Sequence, residues 1–152
     1  MPDSVMSLLY PHSSDRPLGL HYILELYGCP QDLLNDSDLI CQSLRQAARE
    51  ANSTLLNAVH HRFEPHGVTA LALLAESHIS IHTWPESGYA AVDVFTCGES
   101  TTPKRACEYL IEVLRADRYT LQAIDRGAVV SAADERTSRS PVPSEVSRGP
   151  EA

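Results

Sequence analysis

The reactive side chains of this sequence crowd into one stretch, Glu76 to Gly98. It holds Glu76-Ser77-His78, then His82-Thr83-Trp84-Pro85-Glu86, then Phe95-Thr96-Cys97-Gly98. Hydroxyl, imidazole, carboxylate and thiol groups follow one another on segments joined by a single tight turn at Pro85 to Gly88. A hairpin there would fold the two arms together into a short-range cluster. Residue types alone allow two chemistries. A metal site would draw on His78 and His82, but His-x-x-x-His shares one face at ligand distance on a helix. On a strand the same two residues lie far apart along one face. A cysteine hydrolase would pair Cys97 with His82, because a thiol beside an imidazole is a strong nucleophile. No nucleophile elbow or protease signature accompanies that pair.

These residues need strands to hold them. His78-Ile79-Ser80-Ile81-His82 alternates with period two, as a half-buried strand does, and Tyr89 to Phe95 returns as its partner beyond the turn. Strict alternation puts His78, Ser80 and His82 on one face and Ser77 on the other. Either the strand starts after Ser77 or a cleaved end bends away. Upstream, Leu20 to Tyr27 reads as a first strand closed by Gly28 and Pro30. Thr54 to Phe63 and Val68 to Ala75 read as two more, around a Glu-Pro-His-Gly turn at Glu64 to Gly67. Tyr119 to Ile124 reads as the last.

Two helices complete the pattern. The first, capped by Asp36 or Ser37, runs to about Ala51, with Leu39, Ile40, Leu44, Ala47, Ala48 and Ala51 at helical spacing. The second opens on Thr102 as N-cap and Pro103 as first residue, with Ala106, Leu110, Val113 and Leu114 on one face. The order β-α-β-β then β-β-α-β sets strands side by side across short turns. It predicts an α+β two-layer sandwich, an antiparallel sheet with both helices packed on one face. The other sheet face is left bare, which makes dimerisation an expectation.

Residues 1–17, rich in Ser, Pro and Asp, read as a flexible extension. Residues 128–152, dominated by Ser, Pro, Arg and Glu, read as a disordered tail. Between them lies one domain, 18–127. The chain of 152 residues has 20 acidic against 12 basic residues, a net charge of -8. That balance disfavours a nucleic-acid binder and leaves open a small cationic substrate, which an acidic surface would attract. No apolar run is long enough to span a membrane, and Met1 to Asp15 does not read as a secretory signal. The four cysteines, Cys29, Cys41, Cys97 and Cys107, include no Cys-x-x-Cys pair. They read as free thiols of a cytoplasmic protein.

The stretch ESHISIHTWPESGYAAVDVFTCG, Glu76 to Gly98, resembles the signature of prokaryotic S-adenosylmethionine decarboxylases. The likeness extends upstream through His61-Arg62-Phe63, Pro65-x-Gly67-Val68 and Leu18-Gly19-x-His21, covering roughly residues 18 to 127. The resemblance implies a proenzyme that cuts itself between Glu76 and Ser77. The Ser77 hydroxyl attacks the preceding carbonyl, and elimination from the resulting ester leaves a pyruvoyl group on the new N-terminus. That ketone would form a Schiff base with the substrate amine and act as the electron sink that pyridoxal phosphate provides elsewhere.

By the same resemblance His82 assists processing as a proton acceptor, and Cys97 is the proton donor to the substrate carbon. Thr69 stands where the family usually has a processing serine, a departure that keeps the hydroxyl. Phe63 would stack on the adenine, Glu86 would accept hydrogen bonds from the ribose, and Trp84 would line the same pocket. The implied product is decarboxylated S-adenosylmethionine, the aminopropyl donor for spermidine. The implied assembly is a homodimer of cleaved αβ protomers, with active sites at or near the subunit interface and no metal, nucleotide or pyridoxal cofactor. A pyruvoyl-dependent arginine or ornithine decarboxylase of the same fold is the nearest rival. Phe63, Trp84 and Glu86 speak against it, since an amino acid has neither base nor ribose. His60, His61 and His66 read as structural or surface residues.

Overall fold

The computed structural model describes residues 16–127. The expectations for residues 1–15 and 128–152 lie outside them. Strand β1 (Gly19–Tyr27) leads through a one-turn helix α1 (Gln31–Leu34) into α2 (Ser37–Glu50). Strands β2 (Leu55–Arg62), β3 (Val68–Leu74), β4 (Ser77–Trp84) and β5 (Tyr89–Cys97) follow as a meander. Helix α3 (Pro103–Val113) then returns the chain to β6 (Arg118–Arg126). The strands form one six-stranded sheet in the order β2-β3-β4-β5-β1-β6, every neighbouring pair antiparallel. This is the two-layer α+β sandwich the element order predicts, with α1 added. The Pro85–Ser87 turn is a single 3-10 turn closed by Gly88 in the left-handed region at φ 60°.

Local chemistry sets the helix ends. Asp36, rather than Ser37, caps α2, its carboxylate accepting the N–H groups of Asp38 and Leu39 at 3.1 and 2.9 Å. Thr102 and Pro103 occupy N-cap and N1 of α3 as expected. The Thr102 hydroxyl, however, does not cap. It donates to the Glu50 carbonyl at 3.1 Å and ties α3 to the end of α2. The apolar stripes read from the sequence lie against the sheet, with Ile40, Leu44, Ala47, Ala48, Ala106, Leu110 and Leu114 fully buried.

Period two decides what each strand offers to each layer. Leu24 and Leu26, Val68, Ala70 and Ala72, Ile79 and Ile81, and Ala90, Val92 and Val94 all point under the helices. The alternate residues point to the face with no helix over it. There the β4–β5–β1 register lines up His78, Phe95 and His21, then Ser80, Asp93 and Ile23, then His82, Ala91 and Glu25. Nearly all the candidate chemistry is therefore on the open face, together with exposed Val59, Leu71, Leu73, Trp84 and Ile124. Among the described residues no helix is long and apolar enough to cross a membrane.

Candidate active site

The β3–β4 connection has only two residues, Ala75 and Glu76, and neither is glycine or asparagine. Connections this short commonly demand a positive φ. Neither loop residue has one. It falls instead on Ser77, at φ 142°, a region that side-chain-bearing residues rarely enter. The strand thus begins at Ser77, and alternation fails at its first residue. The Ser77 hydroxyl lies 3.1 Å from Nδ1 of His78, the residue that alternation assigns to the opposite face.

The bond before Ser77 is held on both sides. The Glu76 carbonyl accepts the Cys97 N–H at 2.9 Å, and the Glu76 carboxylate accepts the Thr54 N–H at 2.9 Å. A hydroxyl, an imidazole nitrogen and a polarised carbonyl are thereby gathered around one peptide bond. Cys97 itself is half-buried at the end of β5, on the strand flanking Ser77. Its place depends on Gly19 opposite: a Cβ there would come within 2.6 Å of the Phe95 ring and 3.0 Å of the Cys97 sulfur.

Behind Ser77 a polar chain runs across four strands, β4, β5, β1 and β6. Oδ2 of Asp93 meets Nε2 of His78 at 2.9 Å and Nε2 of His21 at 2.8 Å, while Oδ1 accepts the Ser80 hydroxyl. Nδ1 of His21 meets Arg126 at 2.8 Å. Burial alone would raise the Asp93 pKa. The hydrogen bonds from Ser80, His21 and His78 outweigh it and hold the carboxyl below its ordinary value. His21, His78 and Asp93 also have the composition of a metal-ligand set. Their spacing is that of N–H···O bonds, and both imidazoles already meet the same carboxylate oxygen.

The remaining candidates sit at the far end of β4. Phe63, Thr69, His82, Trp84 and Glu86 line one cavity of about 490 Å³, together with His66. Thr69 Oγ1 and His82 Nδ1 are 2.9 Å apart, so the threonine makes the contact a serine hydroxyl would make. Trp84 stacks obliquely on Tyr89, with ring centroids 5.2 Å apart. Nε2 of His66 lies 3.1 Å from the Glu86 carboxylate, with both side chains well exposed. Another cavity, about 420 Å³, opens on the helix side below the Gly98 loop. Its lining includes Leu18, Thr96 and Pro103 but not Ser77, His78 or Cys97.

The candidate residues therefore form two groups within one chain, not one. Five residues of strand separate Ser77 from His82, about 16 Å. Cys97 is six positions beyond Ala91, the partner of His82, about 20 Å away. A Cys97–His82 hydrolase pair is not formed within the chain. Nor is a His78–His82 metal site, which four residues of strand hold about 13 Å apart. The polar chain through His21, Asp93 and Arg126, and the His66–Glu86 contact, are what the sequence reading missed. Each depends on cross-strand register, which no local pattern prints.

A serine at φ 142° with an imidazole nitrogen 3.1 Å from its hydroxyl lies beside the bare face of a two-layer α+β sandwich. The family model for S-adenosylmethionine decarboxylase matches residues 20–127. The chain belongs to that family. It is 54% identical over 125 residues to the S-adenosylmethionine decarboxylase proenzyme of Parasynechococcus marenigrum, covering 82% of this chain and 96% of that one. It is 57% identical over 109 residues to the proenzyme of Prochlorococcus marinus, covering 72% and 87%. The crystal structure of the adenosylmethionine decarboxylase from Aquifex aeolicus superposes with a TM-score of 0.70 at 43% identity, over 77% of this chain and 96% of that one.

Proposed function

We propose that the chain is a self-cleaving decarboxylase of S-adenosylmethionine, yielding the aminopropyl donor for spermidine in the cytoplasm. The observation that carries this reading is the Glu76–Ser77 junction: a reversed φ, a hydroxyl 3.1 Å from an imidazole, and a carbonyl polarised by the Cys97 N–H. These residues fit the formation of a pyruvoyl group at Ser77, giving chains of residues 1–76 and 77–152. That group supplies an electrophilic carbonyl and an electron sink for the departing carboxylate. Residues 18–127 form the catalytic unit.

The other residues bind, orient and move protons. Cys97 lies beside Ser77 and returns a proton to the substrate carbon. Phe63 and Trp84 present exposed aromatic surface in one cavity, suited to an adenine face, and Glu86 accepts from ribose hydroxyls. His82, hydrogen-bonded to Thr69, serves processing. A single chain cannot bring these groups to Ser77, about 16 Å away. Two copies stacked open face to open face with antiparallel strands would place the cavity of one over the Ser77 end of the other. The same stacking covers Val59, Leu71, Leu73 and Ile124, an apolar patch a lone soluble copy would expose. The functional unit is therefore a homodimer of cleaved αβ protomers, needing neither nucleic acid nor membrane.

The test is the intact denatured mass of the purified protein after incubation with S-adenosylmethionine and cyanoborohydride, beside arginine and ornithine. The expected result is two chains, with the 77–152 fragment carrying an adduct from S-adenosylmethionine alone. Adducts from arginine or ornithine would overturn the substrate. A single uncut chain without adduct would overturn the enzyme.

A further inference from the structure

The polar chain behind Ser77 fixes every proton along it, and the direction follows from what each group can do. A guanidinium only donates, so Arg126 must donate to Nδ1 of His21, 2.8 Å away. The His21 ring then carries its proton on Nε2 and donates to Asp93. An ionised carboxylate only accepts, so Asp93 also takes the Ser80 hydroxyl and the Nε2 proton of His78. One nitrogen is left with a free lone pair, Nδ1 of His78. It faces the Ser77 hydroxyl at 3.1 Å, within reach for proton transfer. Phe95 packs edge-on against the His78 ring, and the Arg126 guanidinium lies over the Phe95 ring, which holds both in place.

We infer that His78 is the base that takes the Ser77 hydroxyl proton in self-cleavage, with Asp93, His21 and Arg126 as positioning residues that hold its tautomer. The inference rests on the reading of the chain as self-cleaving. As the Ser77 oxygen bonds to the Glu76 carbonyl carbon, its proton passes to Nδ1 of His78. The carbonyl oxygen, bonded to the Cys97 N–H, carries the developing charge. When the carbon–nitrogen bond breaks, the Ser77 nitrogen takes that proton from Nδ1. Peptide becomes ester plus free amine, and the proton His78 takes from Ser77 is the one it returns, with no other reactant. His82, at the other end of β4, is too far to serve this step within the chain; His82 of a second copy, brought over Ser77 in the proposed dimer, is assigned to the later elimination.

The experiment follows cutting of the full chain by intact mass during cell-free synthesis. Wild type is compared with His78→Ala, Asp93→Asn and, as an imidazole-loss control on an exposed strand site, His60→Ala. Cutting by His78→Ala is expected to slow by about 10²-fold or more and to recover in part with added imidazole. Asp93→Asn is expected to slow cutting because the amide can donate to His78 and turn its ring, and His60→Ala is expected to match wild type. Wild-type cutting by His78→Ala would overturn the assignment, and so would a slow His78→Ala that imidazole does not accelerate, since lost packing is not restored by a soluble base. An uncut wild-type chain would instead sink the self-cleaving reading itself, a distinguishable failure.

Discussion

Replacing Ser77 by glycine should stabilise the uncut chain relative to replacing it by alanine. Both variants lack the hydroxyl and remain one chain, so cleavage does not confuse the comparison. At an ordinary strand position glycine costs about 0.5–1 kcal/mol against alanine, because it gives up more backbone freedom on folding. At φ 142°, however, a side-chain-bearing residue carries about 1–3 kcal/mol of strain that glycine does not. The strain outweighs the entropy over nearly the whole range, and glycine should be ahead by up to about 2.5 kcal/mol, about 1 kcal/mol at mid-range. For a domain near 100 residues that is a rise in Tm of roughly 4–8 °C per kcal/mol. Urea unfolding of the two purified variants measures it directly. Alanine equal to or more stable than glycine would refute the reasoning and mean that the junction stores nothing. If the expected order is found, the same strain is released as the peptide converts to ester. It can then lower that barrier by as much as it amounts to, a factor of about 5 to 150 in rate.

Alkylation of the folded chain should label Cys97 well before the other cysteines, read by peptide mass after a timed pulse. Burial, helped by the Asp117 charge, pushes the Cys29 thiol up to about 11, burial and Glu108 push Cys107 up to about 12, and Cys41 is buried. Leu71→Asp, on the open face, should convert a dimer to monomers in sedimentation while leaving the helix-side core intact. Mixing uncut Ser77→Ala chains with His82→Ala chains during refolding should recover activity absent from either alone, because the hybrid keeps one complete site. Acid should separate Asp93→Asn from the parent. A carboxyl held below its ordinary value of 3.8 stabilises the fold above that pH, and the benefit is lost as pH falls through the lowered value. The parent should therefore lose stability more steeply than Asp93→Asn below about pH 4, followed by urea midpoints across the acid range.

The architecture was legible in the sequence because its signals are local: period two along β4 and β5, a helical stripe from Leu39 to Ala51, Pro103 at a helix start. The strands run one or two residues past their reading at some ends, as at Cys97, Arg118 and Arg126, because cross-strand pairing extends them where hydrophobicity does not. Helix α1 escaped notice for having a single turn and no capping side chain. The site was legible only by motif. Nothing in the one-dimensional pattern places Asp93 between His78 and His21, since that neighbourhood requires β1 to insert beside β5. The hairpin between β4 and β5 suggested one cluster. It gave two, because Ser77 and Cys97 sit at its open end while Trp84 and Glu86 sit at its turn.

The same insertion of β1 would hold the domain together after the proposed cut before Ser77. Cleavage before Ser77 leaves β1, β2 and β3 on one fragment and β4, β5 and β6 on the other. The sheet order is β2-β3-β4-β5-β1-β6, so β1 of the first fragment lies between β5 and β6 of the second. Three strand interfaces, β3–β4, β5–β1 and β1–β6, then join the fragments, and α2 packs against α3 across the same divide. The proposed cut would fall at the end of a two-residue turn and remove no ladder of the sheet. Separating the fragments would require opening every one of these contacts and exposing a core that includes Leu24, Leu26 and Ile79. On the proposed reading, backbone strain can be concentrated at Ser77 because three strand interfaces would still join the fragments after the cut.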